Sequence, residues 1–151
     1  MHRAEQILQA TAALVAAQSG LDAAVFTHRT LSLSADDQEI PAVCVNDGDD
    51  DPLGEQGYNN LSFIDSVVQL KLTLYAQGSS QAEVAAELDR LRVVVHKAML
   101  QSPRDLGLSF VMAIGYGGAA EAEYSTEGSP LAGSRECAFS VMYRMNLTDP
   151  E

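Results

Sequence analysis

Residues Val68 to Met99 constrain the fold more than any other stretch of this chain. Val68, Leu70, Leu72, Leu74 and Ala76 alternate with Gln69, Lys71, Thr73 and Tyr75. A period of two belongs to a strand with one covered face and one wetter face. Gln77-Gly78-Ser79 breaks the strand, and Ser80 with Glu83 has the spacing of a capping box. Val84, Leu88, Leu91, Val95 and Met99 then fall on one helical stripe. The two patterns together predict a long half-buried strand, from about Ser66, and a helix that folds back to cover it.

The same reading extends to both ends. Ala4, Ile7, Leu8, Thr11, Leu14 and Val15 recur at helical spacing and predict a helix over Arg3–Gln18, with Gly20 placed to end it. Short strands follow over Ala23–Thr30 and Pro41–Asn46, separated by a polar turn. Asp47 to Asn60 reads as an acidic, glycine-containing loop. Leu106, Leu108, Phe110, Met112, Ile114 and Tyr116 alternate, as do Cys137, Phe139, Val141, Tyr143, Met145 and Leu147. These predict two closing strands around a long loop over Ala120–Gly133. The order is α-β-β-β-α-β-β: one α+β domain over residues 1–151, a mostly antiparallel sheet covered by two helices.

Composition narrows the functional classes. The chain has 151 residues, 46 % of them hydrophobic, enough to bury a core without staples. Nine basic against twenty-one acidic side chains give a net charge of −12. Phosphate-backbone binding needs Lys and Arg, so a sequence-reading nucleic-acid binder is disfavoured. No apolar run reaches the roughly 18 residues of a membrane span, and no signal-peptide core follows Met1. Cys44 and Cys137 are too few for a disulfide framework and are expected to stay thiols in a reducing cytoplasm.

Motifs for chemistry fail on inspection. Asp47, Asp49 and Asp51 have the alternate spacing that opens an EF-hand loop. Pro52, however, replaces the glycine at position six, and Tyr58 stands where a bidentate glutamate belongs. A weak divalent-ion site and a solvated loop remain the two readings of that run. His2, His28 and His96 share no metal-ligand spacing with each other or with the cysteines. His28 reads as a strand-end surface residue and His96 as a helix-end donor. Gly115-Tyr116-Gly117-Gly118 lacks the Lys-Ser/Thr of a P-loop and reads as a strand end or bulge. Glu121 and Glu123 read as solvated. No catalytic residue, cofactor or metal is expected, and the chain is not expected to be an enzyme.

The pattern resembles the tail terminator (tail completion) proteins of long-tailed bacteriophages. The features that carry the resemblance are the Arg3-Ala4-Glu5-Gln6-Ile7-Leu8 helix, the Ile40-Pro41-Ala42-Val43-Cys44-Val45 strand entering a Gly-Asp loop, and the long Ser66–Ala76 strand with its capped helix. The closing pair of strands, ending in Tyr143-Arg144-Met145-Asn146-Leu147, is the last. The resemblance covers nearly the whole chain in element order. It implies a virion assembly protein made in the bacterial cytoplasm. Such a protein forms a ring, usually of six copies, at the neck end of the tail tube, where it stops tube growth and docks the head. The implied partners are further copies of itself, the tail tube protein and a head-tail connector, with DNA passing through unbound and no membrane. An acidic channel would suit that passage. Asp47, Asp49, Asp50, Asp51, Tyr58 and Glu127 are then candidate lumen or inter-ring loop residues, the alternative being a solvated loop. Two rival readings stand beside this one: a head-tail connector or neck protein, and a monomeric acidic α+β module that binds a peptide or small ligand.

Overall fold

The computed structural model describes residues 1–33, 39–54, 62–101, 103–125 and 131–151. Two helices, α1 (Arg3–Ala16) and α2 (Gln81–Leu100), accompany six strands. The strands are β1 (Ala24–Thr27), β2 (Ala42–Pro52), β3 (Phe63–Gly78), β4 (Val111–Ala119), β5 (Glu123–Tyr124) and β6 (Leu131–Asn146). The sheet runs β1-β2-β3-β6-β4, and β5 pairs with β6. Among the described residues, only the β1–β2 pair is parallel. The expected α+β class and element order are observed, with β5 as an added two-residue strand.

Strand β3 is the spine, antiparallel to β6 from Phe63↔Asn146 to Gly78↔Leu131. Its even-numbered residues Val68 to Ala76 are fully buried, as the alternation predicts. They meet Val43, Val45, Cys137, Phe139, Val141 and Tyr143 in one core that includes Ile7, Leu8 and Val15 of α1. The α2 stripe Val84, Leu88, Leu91, Val95 and Met99 enters the same core. Each large side chain so buried contributes about 1.5–3 kcal/mol. Both helices therefore sit on one face of the sheet.

Helix α2 begins as its sequence signals, with one change of partner. The Glu83 N–H donates to Ser80 Oγ at 3.2 Å, but the Glu83 carboxylate reaches back to Ser79, accepting from its N–H at 2.8 Å and its hydroxyl at 2.7 Å. Those bonds hold the Glu83 carboxyl below its usual range. Gly78 lies under this turn; a Cβ there would come within 2.9 Å of Glu83 Cβ. Arg90 ties α2 to the end of the α1–β1 connection by donating to the Gly20 and Leu21 carbonyls.

Several boundaries and the phase of one strand differ from expectation for local reasons. Helix α1 stops at Ala16, where the Ala17 and Gln18 N–H groups close on Ala13 and Val15, so Gly20 lies beyond the cap. Leu106, Leu108 and Phe110 precede β4: Arg104, Leu106 and Gly107 have positive φ, and the chain turns there. Within β4 the ladder shifts between Val111 and Ala113, which turns Met112 outward and puts Val111 and Ile114 in the core. A period-two reading cannot see that extra residue. The expected Ala120–Gly133 loop is shorter, because β6 begins at Leu131 and β5 lies beside Gly133 and Ser134.

Candidate functional site

The acidic run is not a loop up to Pro52. Asp47, Asp49, Asp50 and Asp51 belong to β2, which pairs with β3 through Asp47↔Leu70, Asp50↔Val68 and Asp51↔Val67. The expected strand end at Asn46 fails because a register shift between Asp47 and Asp50 absorbs one extra residue and lets pairing resume. Four acids within five residues oppose strand formation by propensity, but the long β3 partner overrides it. Tyr58 and Glu127 lie outside the described residues.

The structure separates these aspartates by role. All four are exposed, but Asp50 also accepts from Tyr143 Oη at 2.6 Å and from Ser66 Oγ at 2.8 Å. Tyr143 is fully buried, and burial followed by the Asp50 hydrogen bond pushes its phenol well above the usual tyrosine value. This is a structural carboxylate that anchors the outer part of β2 over the core. Nothing in the sequence distinguishes it from its neighbours, because Tyr143 lies 93 residues away.

A second polar network holds the same end of the sheet. Arg144 donates to both Asp65 oxygens, at 2.7 and 3.0 Å, and its guanidinium stacks 4.0 Å from the Phe63 ring. The hydrogen bond from Arg144 keeps the Asp65 carboxyl below its usual range. Arg3 stacks on Phe110 and donates to the Arg144 and Glu151 carbonyls, while its own N–H donates to Pro150, so the two chain ends meet.

The sheet face away from the helices carries a cleft of about 570 Å³. Asn46, Lys71, Thr73, Tyr75, Ser134 and Glu136 line it together with Leu31, Glu121 and Glu123. Its floor ends at a small apolar cluster of Leu31, Ile40, Ala42, Cys44, Tyr75 and Ala132. The Leu31 N–H donates to Tyr75 Oη at 3.2 Å, and burial raises that phenol. Glu121 and Glu123, read from sequence as solvated, thus border a concavity. Among the described residues, no three His, Cys, Asp or Glu side chains converge as a metal site. Neither cysteine is in a disulfide; both are buried, and burial pushes the Cys137 thiol up.

Two further residues, His96 and Arg135, stand where the sequence alone did not place them. His96 packs edge-on against Tyr116 of β4, ring centroids 4.9 Å apart, rather than serving only its helix end. Tyr116 Oη accepts from Arg92 at 2.8 Å, and this bond raises the guanidinium pKa. Arg135 went unnoticed in the sequence. It occupies the core phase of β6, opposite Leu74, and its Nε is buried with no hydrogen-bond partner among the described residues. Its signal was present, since extending the Cys137–Phe139–Val141 alternation backwards reaches a cation. His28 does lie at a strand end, where it meets the Glu5 carboxylate at 3.1 Å. Gly117 and Gly118 form the expected bulge, with φ +89° at Gly118 and a register shift between Tyr116 and Ala119.

No protein-family model matches this sequence, and neither does any curated protein. Among solved structures, a chain from the virion of a native gene transfer agent particle is similar, at 14 % identity and a TM-score of 0.48. The alignment covers 93 % of this chain and 91 % of that one. A likeness of this degree carries no functional argument. No described helix is long and apolar enough to cross a membrane.

Proposed function

We propose that this protein is a structural virion assembly protein of the tail-terminator kind. In this reading its copies close into a ring, the six-membered ring the family resemblance implies, at the neck end of a tail tube. The ring ends tube growth and offers a surface to a head-tail connector, and DNA passes through without specific contacts. Six copies would each bring a charge of −12, which disfavours adhesion of DNA. The observation that carries the reading is architectural: the element order that the resemblance rests on, built as a sheet whose helices cover one face only. A sheet face that neither helix covers, and open sheet edges, suit contacts with neighbouring subunits. The argument rests on fold and surface rather than on a reaction centre.

Native mass spectrometry over a concentration series, with negative-stain images, tests the ring. A closed hexamer would be about 97 kDa, six times the 16.1 kDa chain. Capping of purified tail tubes tests the function directly: tubes that continue to elongate in the presence of the protein defeat the proposal.

The cleft over Lys71 and Thr73 favours a second reading, a monomeric binding module, since ligand sites are concave with a few convergent polar groups. That reading expects a persistent monomer whose Lys71, Thr73 and Tyr75 amide signals shift on adding a peptide. A ring with an unresponsive cleft excludes it.

A further inference from the structure

The two side edges of the sheet complement each other in height, strand direction and charge. Strand β1 pairs only with Ala42–Val45, so among the described residues β2 from Asp47 to Pro52 has a partner on its β3 side alone. The opposite edge is β4. Following the ladder across the sheet, Asp47 leads through Leu70 and Phe139 to Tyr116. Asp51 leads through Val67 and Met142 to Ala113. The open part of β2 therefore stands at the level of Ala113–Tyr116, one at each side of the molecule. Three antiparallel steps separate the two strands, so they run in opposite directions. Two copies placed side by side would bring β2 of one antiparallel to β4 of the next.

The chemistry of the two edges also differs in sign. The β2 edge presents exposed Asp47, Asp49 and Asp51. Beside β4, α2 presents Arg92, His96 and Lys97, with one acid, Asp89, around exposed Val93 (44 %). Tyr116 of β4 (41 % exposed) meets Arg92 and His96, and Met112 (48 %) is exposed further along β4, near Arg3 and Arg144. Most of the other basic side chains are occupied at home. Arg29 pairs with Glu39, Arg90 with Glu87, Arg144 with Asp65, and Arg3 binds the chain end. Arg92 and Lys97 make no carboxylate ion pair among the described residues, and neither do Asp47, Asp49 and Asp51. In a chain of charge −12, a cationic and apolar patch is the place where an acidic neighbour gains most. The register shifts in both strands restrict main-chain pairing to short stretches, which blunts each edge against indiscriminate partners and leaves selection to the side chains.

We infer that the acidic β2 edge of one copy docks on the α2–β4 edge, at Arg92, Lys97, Met112 and Tyr116, of a second copy. The contact is heterologous, head to tail, and such contacts close into rings when the rotation between copies permits. The inference rests on the ring reading above and supplies its subunit contact.

Two double variants test it: Asp49→Lys with Asp51→Lys, and Arg92→Glu with Lys97→Glu. Asp50 is left intact because it holds Tyr143 and Ser66. Native mass spectrometry and sedimentation are read across concentration, with far-UV melts confirming that each variant folds. The expected result is a loss of about tenfold or more in self-association for each double variant alone. Mixing the two in equal amounts restores assembly, because each native edge meets a native partner and each reversed edge meets a reversed one. Should a reversed variant fail to melt cooperatively, Asp49→Asn/Asp51→Asn and Arg92→Gln/Lys97→Gln replace the pair, with a smaller loss expected. A wild-type ring unchanged by either double variant overturns the edge contact and leaves the ring itself standing. Loss in both without recovery on mixing also overturns it. A wild-type chain that stays monomeric to about 1 mM overturns it too, and tube capping then decides the functional reading separately.

Discussion

Replacing Tyr143 by Phe isolates the contact that anchors the acidic strand. The phenol is fully buried and donates to Asp50 at 2.6 Å. A hydrogen bond to a charged acceptor contributes about 1.5–3 kcal/mol, and Asp50 regains water when the bond is lost, so the variant should be about 1–2 kcal/mol less stable at pH 7. The difference must fall at alkaline pH. In the folded protein burial and Asp50 hold the Tyr143 proton well above the usual tyrosine range, whereas the unfolded tyrosine releases its proton near pH 10. Above that pH the folded state binds more protons than the unfolded state, so wild-type stability declines as pH rises. At pH 11 the loss from this one group is about 1.4 kcal/mol. Tyr75, also raised, contributes to both proteins alike and cancels in the difference. Urea unfolding followed by far-UV circular dichroism at pH 7, 9 and 11 measures the gap. It should be constant from pH 7 to 9 and nearly closed at pH 11. A gap that stays constant to pH 11 would refute the assignment of a retained proton, and no gap at pH 7 would refute the hydrogen bond's contribution.

Asp65→Asn should destabilise at pH 7, with the difference vanishing in acid. The Arg144 bond keeps the folded carboxyl below its ordinary value, so its stabilisation is present above about pH 4 and is lost as pH falls through the lower folded value. Denaturant midpoints between pH 2 and 7 would show it, and a pH-independent difference would contradict it. Gly133→Ala should cost about 1–3 kcal/mol, because its Cβ would stand 2.6 Å from Val84 Cγ1 and 3.1 Å from Tyr124. Adding Val84→Ala should recover part of that loss if the clash is the cause. Ser80→Ala should cost about 0.5–2 kcal/mol by removing the acceptor for the Glu83 N–H, read as a lower thermal midpoint.

The amino-acid sequence alone determined the parts whose reason is local and periodic. The Val68–Ala76 alternation, the Ser80 cap and the Val84–Met99 stripe each answer to one neighbour on the same element, so spacing suffices to read them. The β6 alternation, from Cys137 to Tyr143, was legible for the same reason. Periodicity failed where one inserted residue changes phase. Met112 and the Asp47–Asp50 shift move side chains between faces without altering composition. The acidic strand was likewise unreadable, because its pairing comes from β3 and its anchor from Tyr143 across the sheet. The candidate surfaces follow the same division. That the chain is acidic is a sum over residues and needs no fold. Which aspartate is structural, and that Arg92 and Tyr116 share an edge level with Asp47, were decided only by tertiary structure. Those relations join residues far apart in the chain through the register of a sheet, and register is set by all the strands together.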